Sequence, residues 1–359
     1  MLDIVRRYSV GQKAKKILLL LASVAVLCAV IIVANTQAQK RKLAVSMDFI
    51  MDTVIEQKLY GKNGQQAVDE ISRRLREYEQ MCSMYLEESQ VSQINQNAGK
   101  KYIEVSDQCL ELIKRSKQYA GQSKGLFDIT IAPLTTLWGI TSDHPKVPSQ
   151  QEIDKAKALV NYQDILIDGN KVMLRREGQA IDLGAVAKGA ACEIVREVAQ
   201  QYEITSGYVS IGGNLIVLGE KPDGSAYRFG IRDPQGEESE YLGTISLEGK
   251  TMATTGTYER WFEQDGVRYH HVIDPRTGYP ADSDLLSVSV ISEDGLLADC
   301  MSTALFIEGK EAALAKMQEE EYQLVIVDQE GTVYCSPSLK GNFEPNTENK
   351  HSYTYQYAS

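Results

Sequence analysis

The apolar residues of this chain repeat with two different periods, and together these periods predict a mixture of helices and strands. Helical spacing predicts helices near 65–83 and 187–202, and Ser106 begins another that Gly121 ends. Further helices are predicted near 295–306 and 310–320. Alternating or continuous apolar runs predict a first strand at 48–59 and later strands near 165–167, 172–174, 207–211, 215–218, 227–231, 242–247, 268–273, 286–291, 323–327 and 333–336.

These elements are interspersed without a strict βαβ rhythm, so we expect an α+β fold with a mixed sheet. Residues 48–340 are expected to form one large globular body. The polar segment 341–359 that follows is expected to be a loosely ordered tail.

The N-terminal segment has a pattern of its own. Residues 17–34 are apolar apart from Ser23 and carry no charge, which is long enough for a transmembrane helix. Five basic residues precede this segment and three follow it, which favours a cytoplasmic N-terminus (1–16). We therefore expect a single-pass signal anchor in the cell membrane, a linker at 35–47 and an extracytoplasmic body. A cleaved signal peptide is the alternative.

Charge narrows the possible partners. Residues 43–359 contain 30 basic and 48 acidic residues, a formal charge of −18. Such an acidic body is a poor partner for nucleic acid, but it suits a protein that brings a divalent metal to an anionic ligand. The six cysteines show neither a regular spacing nor a CxxC pair, so no disulfide framework or zinc site is expected.

Two adjacent histidines end a predicted strand, directly before a turn rich in Pro and Gly. His270 and His271 lie at the strand end, and Asp274 opens the turn. A strand that leads into a polar turn is a common position for reactive groups. The alternative is a hairpin in which Asp-Pro and Thr-Gly only shape the turn.

Two further segments place polar residues at helices. Asp182 ends an apolar run, and a helix with Lys188 in its first turn follows. The start of such a helix is suited to binding an anion. The alternative is a tight turn with a solvated lysine. Asp299 and Thr303 are i and i+4 on a helix and offer oxygen ligands to a hard cation, Mg²⁺ rather than zinc. A hydrogen bond along one helix face explains that pair equally well.

Two more segments carry weaker signals. Ser210 to Asn214 ends a strand in two glycines, which would let the backbone lie against a ligand, but the segment lacks the pattern of a Rossmann loop. Phe127 and Trp138 are candidates for an aromatic ring site or for the core.

Five segments occur in the order found in the ApbE family of FAD:protein FMN transferases, which the chain resembles over about 49–309 and more weakly to 336. They are Phe-Asp-Ile-Thr-x-x-Pro-Leu (127–134), Ile-Asp-Leu-Gly-Ala-x-Ala-Lys-Gly (181–189), Ser-Ile-Gly-Gly-Asn (210–214), His-x-Ile-Asp-Pro-Arg-Thr-Gly-Tyr-Pro (271–280) and Ala-Asp-x-x-x-Thr-Ala (298–304). The early Met-Gly-Thr of the family is Met51-Asp52-Thr53 here, a departure from the family pattern.

The resemblance implies an ApbE-like fold and a specific reaction. Members use Mg²⁺ to move FMN from FAD to a Thr or Ser hydroxyl of an acceptor protein and release AMP. FAD would contact Met51, Tyr85, Leu126, Phe127, Asp128, Asp182, Lys188 and Ile273. The metal would be bound by the Ala185 carbonyl, Asp299 and Thr303, and less tightly than in members with a second acid where Ser302 stands.

The resemblance also implies that His271 is the reactive histidine. Its imidazole, with an ordinary pKa of about 6.5, would take the proton of the acceptor hydroxyl, and Asp274 would orient the ring. The chain has no acceptor-like segment of its own, so the acceptor is expected to be another exported or membrane-bound protein. Two alternatives remain open: a FAD pyrophosphatase that uses water, and a membrane-tethered FAD-binding protein without turnover.

Overall fold

A computed structural model describes residues 25–30 and 41–358 of the chain. The strands are β1 Leu43–Ile50, β2 Thr53–Tyr60, β3 Ile103–Glu104, β4 Ile165–Asp168, β5 Lys171–Leu174, β6 Ser206–Ile211, β7 Asn214–Leu218, β8 Tyr227–Arg232, β9 Tyr241–Leu247, β10 Thr251–Gly256, β11 Trp261–Gln264, β12 Val267–His270, β13 Leu285–Ser292, β14 Gln323–Asp328, β15 Thr332–Cys335, β16 Phe343–Pro345 and β17 Thr354–Tyr357. The helices of residues 41–358 are α1 Gly64–Cys82, α2 Gln90–Gln96, α3 Asp107–Gln122, α4 Ala132–Trp138, α5 Gln150–Lys157, α6 Ala187–Gln201, α7 Gly295–Glu308 and α8 Lys310–Ala315.

The fold is built on one large sheet. Within residues 41–358, nine strands pair in the order β1-β2-β6-β7-β10-β13-β14-β15-β17, and all pairs are antiparallel except β15 with β17. Helices α1, α6 and α7 pack on one face of this sheet and bury the main core between them. A smaller sheet of β16, β9 and β8 packs against the other face and buries a second core. The mixed α+β architecture predicted from the sequence is confirmed.

Helices α6 and α7 meet at two glycines. A Cβ on Gly189 would lie 2.2 Å from the Gly295 carbonyl oxygen and 2.6 Å from the Cβ of Asp299. A Cβ on Gly295 would in turn lie 2.4 Å from the Gly189 carbonyl oxygen. Only residues without a side chain allow the two backbones to approach this closely. The contact places the first turn of α6 against the first two turns of α7.

A third, smaller core supports the turn that follows β12. Trp138 is fully buried and donates a hydrogen bond from Nε1 to the Gly278 carbonyl oxygen at 2.8 Å. Its ring packs against Tyr269 and Tyr279. Trp138 is therefore a core residue that fixes the position of the Pro- and Gly-rich turn.

The N-terminal edge of the sheet differs from the sequence prediction. The single strand predicted at 48–59 is a hairpin in which β1 and β2 pair in full register. The two turn residues, Met51 and Asp52, have φ angles of 57° and 56°, which is the type I′ geometry that usually requires Asn or Gly. The first strand begins at Leu43, within the segment expected to be a linker.

The C-terminal segment also differs from the expected loosely ordered tail over the part that the structure describes, 341–358. It contributes β16 and β17 to two sheets. Buried Asp233 accepts hydrogen bonds from the side chains of Asn349, His351 and Tyr353, which hold this segment to the β8–β9 connection.

The prediction of a transmembrane helix at residues 17–34 is contradicted by the structure. No helix among residues 25–30 and 41–358 is long and apolar enough to cross a membrane. The rest of 17–34 lies outside the described residues, as do 1–16 and 35–40. The extracytoplasmic location of the body stays a prediction from the charge pattern.

The contact between α6 and α7 predicts opposite effects for two Gly→Ala substitutions. Gly189→Ala should lower the free energy of unfolding by about 1–3 kcal/mol, because the added methyl group forces the helices apart. Gly121→Ala in α3 is the matched control, since its Cβ would meet no atom closer than 3.9 Å. That change should raise the free energy by up to about 1 kcal/mol through helix propensity. Chemical denaturation measures both, and equal stability of the two variants would contradict the contact.

Candidate active site

His271 lies directly after β12 and is held by one backbone carbonyl. Its N–H donates to the Arg260 carbonyl oxygen at 3.0 Å, and its Nδ1 lies 3.3 Å from the same oxygen. A carbonyl oxygen only accepts hydrogen bonds, so we assign the ring proton to Nδ1. Nε2 is then unprotonated and can accept a proton.

The surroundings of His271 make protonation of its ring unfavourable. Burial, and then the positive charge of Lys188, lower the pKa of His271 to about 4. The sequence had led us to expect a pKa close to 6.5. The ring is therefore neutral at pH 7, in the form that a general base needs, although it is a weaker base than an exposed histidine.

His270 has a different environment from its neighbour. Its Nε2 lies 3.0 Å from the Ala281 carbonyl oxygen, and its Nδ1 accepts from the N–H of Val272 at 3.3 Å. Its ring also packs edge-on against Phe306. Both nitrogens are thus used in holding the turn, so His270 has no nitrogen left for a substrate.

Asp274 does not contact His271. Its carboxylate accepts from the backbone N–H of Arg276 at 2.8 Å and from the guanidinium of the same residue at 2.8–3.1 Å. The expected orientation of the imidazole by Asp274 is therefore absent in the described residues, and the Arg260 carbonyl takes that place. Asp274 instead stabilises the turn.

The start of α6 brings together the groups expected to bind an anion. Asp182 accepts from the Gly184 N–H at 2.8 Å and from the Thr135 hydroxyl at 3.1 Å, which fixes the loop before the helix. Lys188 follows in the first turn of α6, and its Nζ forms no ion pair or hydrogen bond with any residue of 41–358. Most N–H groups of the helix start already have partners, among them that of Gly189 on Asp299, so the charge of Lys188 and the helix dipole are what attract an anion here.

Asp299 connects α7 to this helix start. Its Oδ2 accepts from the Gly189 N–H at 2.8 Å, and its side chain is almost completely buried. Burial raises the pKa of Asp299, and the charge of Lys188 opposes the shift. Because Lys188 also lowers the pKa of His271, its ammonium group lies close enough to act on both residues.

Thr303 and Ser302 occupy the next turn of α7. The Thr303 hydroxyl lies 3.4 Å from the Asp299 carbonyl oxygen and 3.4 Å from Thr255 Oγ1, both weak contacts. Ser302 is fully buried and donates to the Asp299 carbonyl oxygen at 2.9 Å, while it pairs with Thr255 at 2.8 Å. Thr303 is therefore the hydroxyl of this turn that can exchange its contacts for a ligand.

The residues present fit a hard cation bound through oxygen. The Ala185 carbonyl accepts no hydrogen bond from any residue of 41–358, and Gly189, which could bond to it in a regular helix, donates to Asp299 instead. Asn214 lies close enough to the Asp299 carboxylate to oppose the rise in its pKa, but its buried Nδ2 meets hydrogen-bond geometry with no described residue. A ligand, or a carboxylate turned by a bound ion, would satisfy it.

A different group of side chains has the spacing of a metal site. Among residues 25–30 and 41–358, only Asp233, Glu240 and His351 bring three His, Cys, Asp or Glu ligand atoms within 4.8 Å of one another. Asp233 already accepts from His351, and Glu240 pairs with Lys350 at 2.8 Å. These contacts hold the C-terminal segment, so we assign them a structural role.

The other expected FAD contacts fall into two sets. Leu126, Phe127 and Ile273 are buried, and the carboxylate of Asp128 caps the following 3-10 helix through the N–H of Thr130. Met51 lies partly buried in the β1–β2 turn, and its backbone N–H donates a hydrogen bond to Glu79 Oε1 at 2.9 Å. Tyr85 is 78% exposed and contacts none of the other expected residues within 41–358. Their contacts with FAD stay predictions.

Arg260 is a site residue that the sequence analysis missed. Its guanidinium contacts the Asp52 carboxylate and carbonyl oxygen at 3.3 Å each, while its own carbonyl holds His271. Asp52 stands where the family motif has Gly, so a departure in the sequence creates this contact. Asn214 was also missed, although the sequence analysis singled out its segment.

A cavity of about 750 Å³ opens elsewhere, at the N-terminal end of α7. It lies between Tyr119, Asp294 and Tyr322. Its wall contains five carboxylates and Lys250, namely Glu293, Asp294, Glu319, Glu320 and Glu321. Such a wall repels a diphosphate, so we place the candidate site at His271 instead.

Comparison with known proteins agrees with the geometry. The model of the ApbE family matches residues 51–326. A FAD:protein FMN transferase of Klebsiella pneumoniae (strain 342) is 33% identical over 299 residues, which are 82% of this chain and 92% of that protein. One of Vibrio cholerae is 31% identical over 276 residues, 76% of this chain and 83% of that protein.

Solved structures show the same relationship. The crystal structure of the ApbE protein from Thermotoga maritima has a TM-score of 0.78 and 32% identity, and covers 84% of this chain and 99% of that one. The flavin transferase ApbE from Vibrio cholerae has a TM-score of 0.76, 28% identity and the same coverage. The chain therefore belongs to the ApbE family.

Proposed function

We propose that this protein is a FAD:protein FMN transferase, which moves FMN from FAD to a Thr or Ser hydroxyl of another protein with Mg²⁺ and releases AMP. Family membership and the names of the relatives support the overall activity. The observation that carries the mechanism is the placement of His271, which offers an unprotonated Nε2 near Lys188.

The reaction exchanges one phosphorus–oxygen bond for another. The acceptor oxygen bonds to the phosphorus of the FMN half, and the bond from that phosphorus to the bridging oxygen breaks. The hydroxyl proton goes to Nε2 of His271, and the bridging oxygen leaves with AMP. Because Nδ1 already donates to the Arg260 carbonyl, the ring can take the proton without changing its orientation.

The positive charges of the site favour the negative charge that develops on the leaving phosphate. Lys188 and the positive end of the α6 dipole act where the two helices meet. Mg²⁺ bound through the Ala185 carbonyl, Asp299 and Thr303 would supply further charge neutralisation. Burial of Asp299 opposes its ionisation, and a bound cation or the nearby lysine offsets that cost.

The direct test uses the full-length protein with FAD, Mg²⁺ and an extract of source cells that lack this gene. Proteins are separated by denaturing electrophoresis, read by flavin fluorescence, and the labelled peptide is sequenced by mass spectrometry. One FMN on a Thr or Ser, with equal release of AMP, supports transfer. Free FMN and AMP without any labelled protein would establish a hydrolase and overturn the proposal.

The His271→Ala variant should separate binding from rate. We expect FAD affinity to stay nearly unchanged and transfer to slow by about 10²–10⁴-fold, the usual contribution of a positioned general base. His144→Ala, at an exposed histidine, is the control and should behave as the parent. A parallel loss of affinity and rate, or an unchanged rate, would contradict the assigned role.

The Asp299→Ala variant should lose Mg²⁺-dependent turnover, because it removes the only charged ligand proposed for the metal. Glu308→Ala changes an exposed acid on the same helix and should have no effect. Turnover is measured as AMP release over a range of Mg²⁺ concentrations. An Asp299→Ala protein that keeps normal turnover at limiting Mg²⁺ would rule out this site.

The imidazole of His271 should titrate with a midpoint near pH 4 in the FAD-free protein. The folded-state pKa lies below the usual 6.5, so the stability that the neutral ring contributes is present above about pH 6.5 and lost between that pH and pH 4. Binding of FAD should raise the midpoint, because the diphosphate favours the charged ring. NMR of the ring, assigned with His271→Gln, measures it, and a midpoint of 6.5 without FAD would contradict the burial argument.

A further inference from the structure

The outer face of β1 has an inverted pattern of polarity. The residues that point toward α1 include polar Ser46 and Asp48, and Asp48 accepts from Ser72 at 2.7 Å and from Arg76 at 2.6 Å. The residues that point away from the helices are apolar and exposed: Leu43 (46%), Val45 (51%), Met47 (73%) and Phe49 (70%). A strand that faces only water normally shows the opposite arrangement.

The apolar row extends to the neighbouring strand. Val54, which is 51% exposed, lies directly opposite Phe49 in the register of β1 and β2. We call these five side chains (Leu43, Val45, Met47, Phe49 and Val54) the β1 strip. None of them belongs to a hydrophobic core of the described residues. A contiguous row of large exposed apolar side chains indicates a surface that another molecule covers.

The strand that carries the strip is also free along one edge. β1 is the first strand of the nine-stranded sheet, and among residues 41–358 it pairs only with β2. An unpaired edge of eight residues can accept an extended segment through backbone hydrogen bonds. Apolar side chains of such a segment would extend the same face of the sheet.

The β1 strip leads to the candidate active site. β1 ends at Ile50, and the following turn contains Asp52, which pairs with Arg260. The Arg260 carbonyl in turn holds His271. Two residues therefore connect the end of the strip to the group that would activate the acceptor hydroxyl.

Two of the cations beside the strip are paired, whereas Arg41 and Lys42, which precede Leu43, form no ion pair within residues 41–358. Lys58, opposite Val45, forms an ion pair with Glu56 at 2.7 Å, and Arg260 forms one with Asp52. Residues 43–359 carry a formal charge of −18, which opposes an anionic lipid surface, and the strip continues into the turn that contacts Arg260 beside the candidate active site. Its chemistry suits an apolar stretch of polypeptide.

We infer that the β1 strip is the docking surface for the acceptor protein, which places an extended, apolar segment along β1 and so brings its Thr or Ser hydroxyl to His271. This inference rests on the proposed function. It assigns recognition of the acceptor to a surface outside the FAD site. Changes in the strip should therefore act on protein labelling and leave FAD chemistry intact.

The test compares the full-length protein with the double variant Met47→Glu/Phe49→Glu. The matched control is Tyr241→Glu, which changes an exposed residue in β9, a strand of the smaller sheet. All three are given FAD, Mg²⁺ and increasing amounts of extract from source cells that lack the gene. FMN on protein is read by gel fluorescence, FAD affinity by fluorescence titration, and AMP release with water as acceptor by chromatography.

We expect the double variant to label protein about tenfold more slowly or worse at low extract concentration, and to recover toward the parent rate as the extract is raised. FAD affinity and AMP release with water should stay within about twofold, and Tyr241→Glu should match the parent. Equal labelling by the double variant overturns the inference while the proposed function stands. Failure of the parent itself to label any protein overturns both.

Two further outcomes would assign the strip to another occupant and overturn the inference. In the first, the parent is a dimer by light scattering and the double variant is a monomer that labels protein normally. In the second, the double variant loses binding to vesicles that contain phosphatidylglycerol and labels protein normally.

Discussion

The close contact of α6 and α7 at Gly189 and Gly295 determines where the chemical groups of this protein meet. With no side chain at either position, the backbone of α6 reaches the carboxylate of Asp299, which accepts the Gly189 N–H at 2.8 Å. That bond leaves the Ala185 carbonyl without its helical partner and places Lys188 beside Asp299. Any side chain at the crossing would separate Asp299 from Lys188.

The two adjacent histidines show how neighbouring residues take different roles. Both ring nitrogens of His270 form hydrogen bonds with backbone groups of its own turn. Trp138 fixes the same turn through a hydrogen bond to the Gly278 carbonyl oxygen. The ring of His271 is anchored through Nδ1 alone, so its Nε2 forms no hydrogen bond with any residue of 41–358. A rigid turn therefore positions a neutral base that has one free nitrogen, and burial keeps it neutral.

The sequence predicted the longer helices and most inner strands, because their apolar periods reflect burial against the large sheet, but it missed the inner strand β10 and the short helices α2, α4 and α5. It missed the β1–β2 hairpin, since Met51 and Asp52 adopt a turn geometry that normally calls for Asn or Gly. Order in the C-terminal segment depends on Asp233, which lies more than a hundred residues earlier in the chain. The pairing of Asp274 with Arg276, and the role of the Arg260 carbonyl, depend on tertiary contacts that no periodicity records.

We propose that the metal and the FAD diphosphate are bound together where α6 and α7 cross. Crystals grown with FAD and with Mn²⁺ in place of Mg²⁺ allow the metal to be located by anomalous scattering. We expect an anomalous peak bound by the Asp299 carboxylate, the Thr303 hydroxyl and the Ala185 carbonyl, with the FAD diphosphate beside it. A peak at Asp233, Glu240 and His351 and none at Asp299 would contradict it.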